Sequence, residues 1–251
     1  MQARLIQYFF PNQAENLAAE EAIAIAVQSR KSPPAILVWK NNNAVVLGKF
    51  QCWRNEIALS NCERHSTTIL RRFSGGGTVF QDLGNLNISF ALPLKKGKSY
   101  SAGFGIQKRI SELLRKTVAS LGVPTVPLPQ GGIGVYGKKI SGFAGVIKPG
   151  LVFSHYTLLI STDLKKLSEV LDPKKNKIKG CVRSHPSPVA NLNDIINEPV
   201  NESSLISNLM EQFQREMGIE VMKSDWHDDE VSTRLELTVN KHSTNEWVFW
   251  R

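Results

Sequence analysis

Apolar and polar residues alternate along this chain in two distinct periods. The stretch 16–29 is alanine-rich and apolar at helical spacing, which predicts a first helix. "AILVWK" and "AVVLGKF" flank the polar "NNN" and together predict a strand hairpin. "TTILRRF" predicts a strand that runs directly into three glycines, and "GNLNISFALPL" alternates as a further strand. Helical periodicity returns from Phe104 to Leu121 and stops at Gly122, with Pro124 beyond. "GGIGVYGKKISGFAGVI" and "LVFSHYTLLIS" predict a strand pair turning at "KPG". Asp163 is placed to cap a short helix reaching Leu171, ahead of Pro173. Another helix is predicted from Ser203 to Met217, ending at Gly218, and "STRLELTV" predicts a late strand. Without repeats, low-complexity tracts or linkers, this order predicts one α+β domain, residues 1–251, with helices packed on a mixed or antiparallel sheet.

Composition fits that reading. The chain has 251 residues, 41% hydrophobic and 21% charged, enough for a sizeable core. It has neither a long apolar run nor a signal-peptide pattern, so neither a membrane span nor secretion is expected. Three cysteines, Cys52, Cys62 and Cys181, form no CxxC pair. That usage predicts a reducing, cytoplasmic setting without a disulfide framework, with Cys52 and Cys62 as structural residues. His65, His185, His227 and His242 have no metal-ligand spacing, and "WHDDE" at 226–230 predicts a polar loop.

A net charge of +9 calls for an acidic partner. The basic residues build neither a recognition helix nor an aromatic-studded strand, which argues against nucleic acid. Their densest run, "KKLSEVLDPKKNKIK" from Lys165 to Lys179, is either a solvated face or a docking surface for an acidic protein.

The chemistry concentrates in two stretches. In "RRFSGGGTVFQDLGN", residues 71–85, the glycines admit close approach of backbone N–H groups to an anion. Neither a P-loop nor a dinucleotide fingerprint is present. Adjacent strand residues face opposite ways, so one of Arg71 and Arg72 should reach a site while the other is structural. In "GKKISGFAG", residues 137–145, Lys138 and Lys139 likewise diverge, and an inward lysine among small and apolar residues calls for an anion.

Taken together these stretches resemble the lipoate–protein ligase A and lipoyltransferase family. The first resembles its Arg-Arg-x-Ser-Gly-Gly-Gly-x-Val-x-His-Asp-x-Gly-Asn signature, and "GKKISGFA" its Lys-x-Ser-Gly-x-Ala motif. "NLAAEEAI", "ILVWKNNNAVVLGKFQ", "SHYTLLISTDL" and "VRSHPSPVANL" resemble further segments in family order, from about residue 5 to residue 195. The resemblance implies a biotinyl/lipoyl-transferase catalytic domain, related to class II synthetases. It implies that lipoate is activated with ATP and Mg2+ to lipoyl-AMP, and that the lipoyl group then passes to a carrier lysine. The implied partners are acidic lipoyl domains of 2-oxo acid dehydrogenase complexes or glycine-cleavage H protein.

By motif position, Lys139 is the implied catalytic residue. Arg72, Ser74, Gly75, Gly76, Gly77, Thr78, Val79, Phe80, Asp82, Asn85, His155 and Thr157 are the implied substrate- and nucleotide-binding set. Several positions depart from the pattern. The family's Asn-Asp pair, whose aspartate helps place nucleotide and metal, reads Gly131 and Gly132; its signature His reads Gln81; and Ser154 stands where a second His is usual. The family's small C-terminal domain is expected to be absent, and whether a separate small protein substitutes for it is left open by the sequence. An alternative is an octanoyl or lipoyl acyltransferase that works without ATP, with Cys181 as nucleophile beside Lys139. A third is a non-catalytic carrier-binding subunit.

Overall fold

The computed structural model describes residues 2–95, 97–173 and 178–251. Eleven strands and eight α-helices form among these residues. The chain opens with β1 (Gln2–Tyr8), α1 (Gln13–Gln28), β2 (Ala35–Trp39), β3 (Asn43–Leu47), α2 (Leu59–Arg64), β4 (Thr68–Arg71), β5 (Val79–Asp82) and β6 (Asn85–Leu92). It continues through α3 (Tyr100–Ala119), β7 (Thr125–Pro127), β8 (Ile133–Val135), β9 (Lys138–Lys148), β10 (Leu151–Leu159), α4 (Leu164–Val170) and α5 (Leu192–Ile196). It closes with α6 (Glu202–Met217), β11 (Glu220–Lys223), α7 (Asp228–Leu237) and α8 (Asn245–Val248).

An eight-stranded sheet runs β11-β1-β2-β6-β10-β9-β8-β7, parallel across its first three strands and antiparallel beyond. Alternation along β2 splits its side chains between two cores. Ile36 and Val38 pack with Ile88 and Phe90 of β6 under α3 and α6, while Leu37 and Trp39 face Leu17 and Ile23 of α1. A smaller sheet, β4-β3-β5, lies beyond α1. Its outer face, with Val45, Leu47 and Phe80, is closed by Ile57, Cys62 and Val170.

The helices predicted at α1, α3, α4 and α6 form, and Asp163 accepts the Lys166 N–H as predicted. Gly218 ends α6 in the left-handed region at φ 66°. The strand pair β9–β10 turns at Lys148–Gly150 as read.

Three readings need correction. First, β2 and β3 do not pair with each other. β2 joins the large sheet, and β3 pairs with β4 and β5. Both strands are buried on both faces, so each finds neighbours on either side, and the intervening Asn41 is fully buried. Second, "STRLELTV" and "WHDDE" lie on helix α7 and its start, followed by a π turn over Thr238–His242. The inward residues of α7 are polar, Glu230, Arg234 and Thr238, at four-residue spacing, whereas Leu235 and Val239 face solvent. An apolar pattern therefore points the wrong way, and ion pairs to Arg4 and Glu15 secure the helix instead. Third, Cys52 and Cys181 are joined in a disulfide, with Cα atoms 5.6 Å apart, against the expectation of none. Cys62 is buried and free, as a structural cysteine would be.

Arg71 ties the C-terminal segment to this frame. It is fully buried at the end of β4 and donates to the carbonyls of Gly48 and Gln51 at 2.8 Å, Val248 at 2.9 Å and Trp247 at 3.1 Å. Trp247 returns a bond from its indole N–H to the Arg71 carbonyl at 2.8 Å. Burial, with Arg251 adding repulsion, pushes the Arg71 guanidinium down to about 10. Arg71→Met removes the shared donor of several buried carbonyls, so we expect a stability loss of about 3 kcal/mol, read as a lower urea midpoint at unchanged m-value. A loss below about 0.5 kcal/mol would show that water or local repacking satisfies those carbonyls.

Candidate functional site

β4 ends at Arg71, and the chain then winds into the glycine loop. Arg72 points opposite to Arg71, as strand alternation requires, and its guanidinium folds the loop around itself. It donates to the Gly75 carbonyl at 2.6 and 3.0 Å, to Gly77 at 2.7 Å, to Val46 at 3.2 Å and to Ser74 Oγ at 3.2 Å. Gly76 is required here. Its φ is +88°, and a Cβ would stand 2.8 Å from an Arg72 nitrogen and 3.0 Å from the Ala144 methyl. The close approach inferred from the sequence is therefore, in the first place, an approach of the loop to Arg72 and to β9.

Two adjoining cavities flank this loop. One of about 420 Å³ is lined by Leu17, Glu20, Trp39, Val46, Arg72, Gly76, Gly77, Gln81, Asn87, Phe143, Ala144 and His155. A second, of about 390 Å³, is lined by Phe80, Ser141, Leu159, Leu164, Leu167 and Leu171. Thr78, Val79, Lys139, Gly142 and Thr157 border both, as do residues 184–187.

Lys139 stands at the junction. Its neighbour Lys138 faces solvent, so the two diverge as predicted. Among the described residues Lys139 has no acidic partner within ion-pair distance. Desolvation, reinforced by the positive charge of Arg72, lowers its pKa below the ordinary lysine value. Arg72 is itself pushed down to about 10, chiefly by burial, with Arg71 adding repulsion and Glu20 opposing. The junction thus concentrates positive charge that its own residues leave unbalanced.

A polar relay supports the first cavity from behind. His155 Nδ1 lies 3.1 Å from a Glu20 oxygen, and its Nε2 lies 2.8 Å from Ser74 Oγ. Glu20 also accepts from Ser89. Gln81, at the position of the signature His, joins an amide chain. Its side-chain nitrogen donates to Asn87 at 2.8 Å, and its oxygen accepts from Asn41 at 2.7 Å. Glu20, Trp39, Asn41 and Asn87 were not singled out from the sequence. The quoted family segments contained Glu20, Trp39 and Asn41, yet only their tertiary neighbours reveal the network.

The implied site residues separate into two groups. Arg72, Gly76, Gly77, Thr78, Val79, Phe80, Lys139, His155 and Thr157 line the cavities. Ser74 and Gly75 line neither and act on the loop through Arg72 and His155. Asp82 and Asn85 also line neither cavity, and both serve the turn between β5 and β6. Asp82 accepts the N–H groups of Gly84 and Asp163, and buried Asn85 donates to Asn87. Cys181 lines neither cavity, and in the disulfide it offers no thiolate. Arg183–Pro188, read as a turn near the site, forms part of the cavity walls.

The residues present do not fit a protein-held Mg2+. At Gly132 (φ +88°) a Cβ would lie 2.2 Å from the Ser141 carbonyl oxygen, and at Gly131 2.4 Å from the Phe143 ring. The loop packs too tightly on β9 to carry the family's Asn-Asp side chains. Among the described residues no group of three acidic, histidine or cysteine side chains could hold a metal ion. No helix among them is long and apolar enough to cross a membrane.

Residues 12–214 match the family described as the lipoyl protein ligase A/B catalytic domain. A lipoate–protein ligase 1 of Staphylococcus aureus is 31% identical over 241 residues, covering 94% of this chain and 70% of that protein. Three other curated lipoate–protein ligases are spanned over only 47% to 66% of their length. Among solved structures, a lipoate–protein ligase A bound with ATP superposes with a TM-score of 0.84 at 27% identity, covering 99% of each chain. A structure from the bipartite lipoate protein ligase and E2 lipoyl domain system of Thermoplasma acidophilum gives 0.83 at 26% identity, covering 99% of this chain and 96% of that one. With its α+β fold and the family match running through both motif stretches, this chain belongs to the lipoyl protein ligase A/B catalytic domain family.

Proposed function

We propose that this chain transfers a lipoyl group from lipoyl-adenylate to one lysine of an acidic lipoyl carrier domain. The observation that carries the reading is Lys139, an ammonium without an acidic partner at the junction of two cavities, facing the loop wound on Arg72. One cavity has apolar walls from Leu17, Trp39, Val46 and Val79, suited to the acyl chain. The other, walled by Phe80, Leu159 and Leu167, suits the nucleoside. The mixed anhydride between them then lies against Lys139. As the carrier amine attacks the acyl carbon, charge builds on the carbonyl oxygen and then on the departing phosphate. A fixed ammonium in a partly desolvated site stabilises both. Arg72 shapes the loop and adds to the positive field.

The ATP-bound relative supports ATP-dependent formation of the adenylate as a further activity of the same site. Among the described residues no side-chain group is placed to hold a metal ion, so the reading rests on the transfer step. The carrier is an acidic lipoyl domain, and a separate small protein is a further candidate partner. The bipartite Thermoplasma system supports both.

Intact-mass assay of an acidic lipoyl domain supplied with lipoyl-adenylate tests the reading. Lys139→Ala should reduce transfer by at least about 100-fold while leaving the fold unchanged. Lys138→Ala, on the outward side, should stay within about threefold of wild type. Transfer within tenfold of wild type by a folded Lys139→Ala protein overturns the assignment.

The lowered pKa of Lys139 has a binding signature. A phosphate anion beside it favours the charged form and raises the pKa, so binding takes up protons at pH values between the unliganded and liganded pKa. Calorimetry of AMP binding across a pH series, in buffers of differing ionisation heat, should show this uptake in wild type and lose it in Lys139→Met. Equal uptake in both proteins would place the titrating group elsewhere.

The lysine run at 165–179 bears on carrier docking. Lys174, Lys175 and Lys177 lie outside the described residues. Lys165 and Lys179 are exposed and Lys166 is partly so; α4, which carries the first and third of these, walls the second cavity with Leu164 and Leu167. Charge there would steer encounter with an acidic domain, screened over about 8 Å at physiological salt. Reversing Lys165, Lys166 and Lys179 to Glu should raise the KM for carrier several-fold, flatten its salt dependence and leave adenylate binding unchanged. An unchanged KM and salt slope would make the run a solvated face.

A further inference from the structure

Residues 178–189 form a strap along both cavities. Ser184 and His185 touch each of them, and Val182 and Arg183 touch the first. At its far end the strap joins the strand of Lys139. The Lys139 N–H donates to the Pro188 carbonyl at 2.8 Å, and the Ala190 N–H to the Lys139 carbonyl at 3.1 Å. At its near end it rests on the segment after β3. The Val182 N–H donates to the Phe50 carbonyl at 3.1 Å, and Ser184 Oγ accepts from Gln51 Nε2 and the Thr78 N–H, each at 2.9 Å. Val182, Arg183 and residues 185–188 are exposed, so little apolar burial holds this end down. Hydrogen bonds near solvent of this kind open at low cost.

The covalent tie at that end is Cys52–Cys181, which spans 129 residues of sequence. Cys52 is buried at 5% exposure beneath the strap, in the segment on which the strap rests. Cys181 is partly exposed, one residue before the first strap residue that lines a cavity.

We propose that Cys52 and Cys181 form a thiol–disulfide latch that sets how freely the strap lifts from the two cavities. Oxidised, the near end is tethered, and the residues next to Cys181, Val182 and Ser184 among them, are held down with it. Reduced, the near end opens by breaking hydrogen bonds alone. The exchange balances with a small-molecule disulfide as oxidant. The accessible Cys181 thiolate attacks one sulfur of that disulfide and expels a thiolate. Cys52 then attacks Cys181 Sγ and expels the second thiolate. Two electrons and two protons pass from the protein dithiol to the small disulfide, and a small dithiol reverses the process.

The latch stands apart from the catalytic reading, and its test uses no turnover. The full-length chain is poised with oxidised or reduced dithiothreitol. Intact mass reads the loss or gain of two hydrogens, and hydrogen exchange is followed at Val182 and Ser184. The expected result is that these amides exchange at least about tenfold more slowly in the oxidised protein, while amides of α6 are unchanged. Cys181→Ser should exchange at the reduced rate under both conditions. Cys52→Ser, which alters a buried position, is the confirming variant where it folds. Equal strap exchange in two states that mass distinguishes overturns the proposal, as does a wild-type protein that gains no disulfide in excess oxidant.

Discussion

A guanidinium cannot be buried without acceptors, and Arg72 finds most of its acceptors in main-chain carbonyls. Three residues of the loop that follows it, Ser74, Gly75 and Gly77, turn oxygens toward one planar cation. Meeting Nε and Nη2 from so short a segment requires a tight winding, and that winding needs a left-handed residue at Gly76. The glycine signature is in this sense a consequence of the arginine before it. Arg71 performs the opposite task from the other side of the strand, gathering carbonyls of the 48–51 turn and the C-terminal helix. Two adjacent cations therefore fix two walls, one of the site and one of the scaffold.

Burial of Arg72 also sets the electrostatics of Lys139. Carbonyl dipoles satisfy hydrogen-bonding capacity but leave net charge in place. Glu20, the carboxylate that opposes the lowering of the Arg72 pKa, is itself engaged by His155 and Ser89. Lys139 is thus raised on a partly desolvated strand within reach of a cationic neighbour, and its charged form is disfavoured until an anion arrives. A site of this kind stores part of its selectivity in its unliganded state. A neutral ligand gains nothing from the field, whereas a phosphate ester relieves it.

Much of this was legible in the sequence wherever one periodicity governed a segment. β6, β9 and β10 alternate, α1, α3 and α6 repeat at helical spacing, and the divergence of Arg71 from Arg72 and of Lys138 from Lys139 follows from strand geometry. The reading failed where partners lie far off in sequence. β2 and β3 resemble a hairpin because each is apolar, yet burial on both faces sends them to different sheets. α7 hides its helical face because that face is polar and held by Arg4 and Glu15. Cys52 and Cys181 are 129 residues apart and carry no spacing signal. Asp82 and Asn85 belong to the signature and yet serve the turn that returns the chain into β6, which shows that a motif can encode its own geometry as well as its chemistry.

The same distinction governs Gly131 and Gly132. Read as a sequence, they look like the loss of two polar side chains. In three dimensions a Cβ at either position would meet Ser141 or Phe143 of the strand that carries Lys139. The two glycines are therefore part of how the loop packs on β9, and an aspartate at 132 would collide with a main-chain oxygen. On the proposed transfer reading, the positive charge that Arg72 and Lys139 hold at the junction is what this site offers an acyl-phosphate.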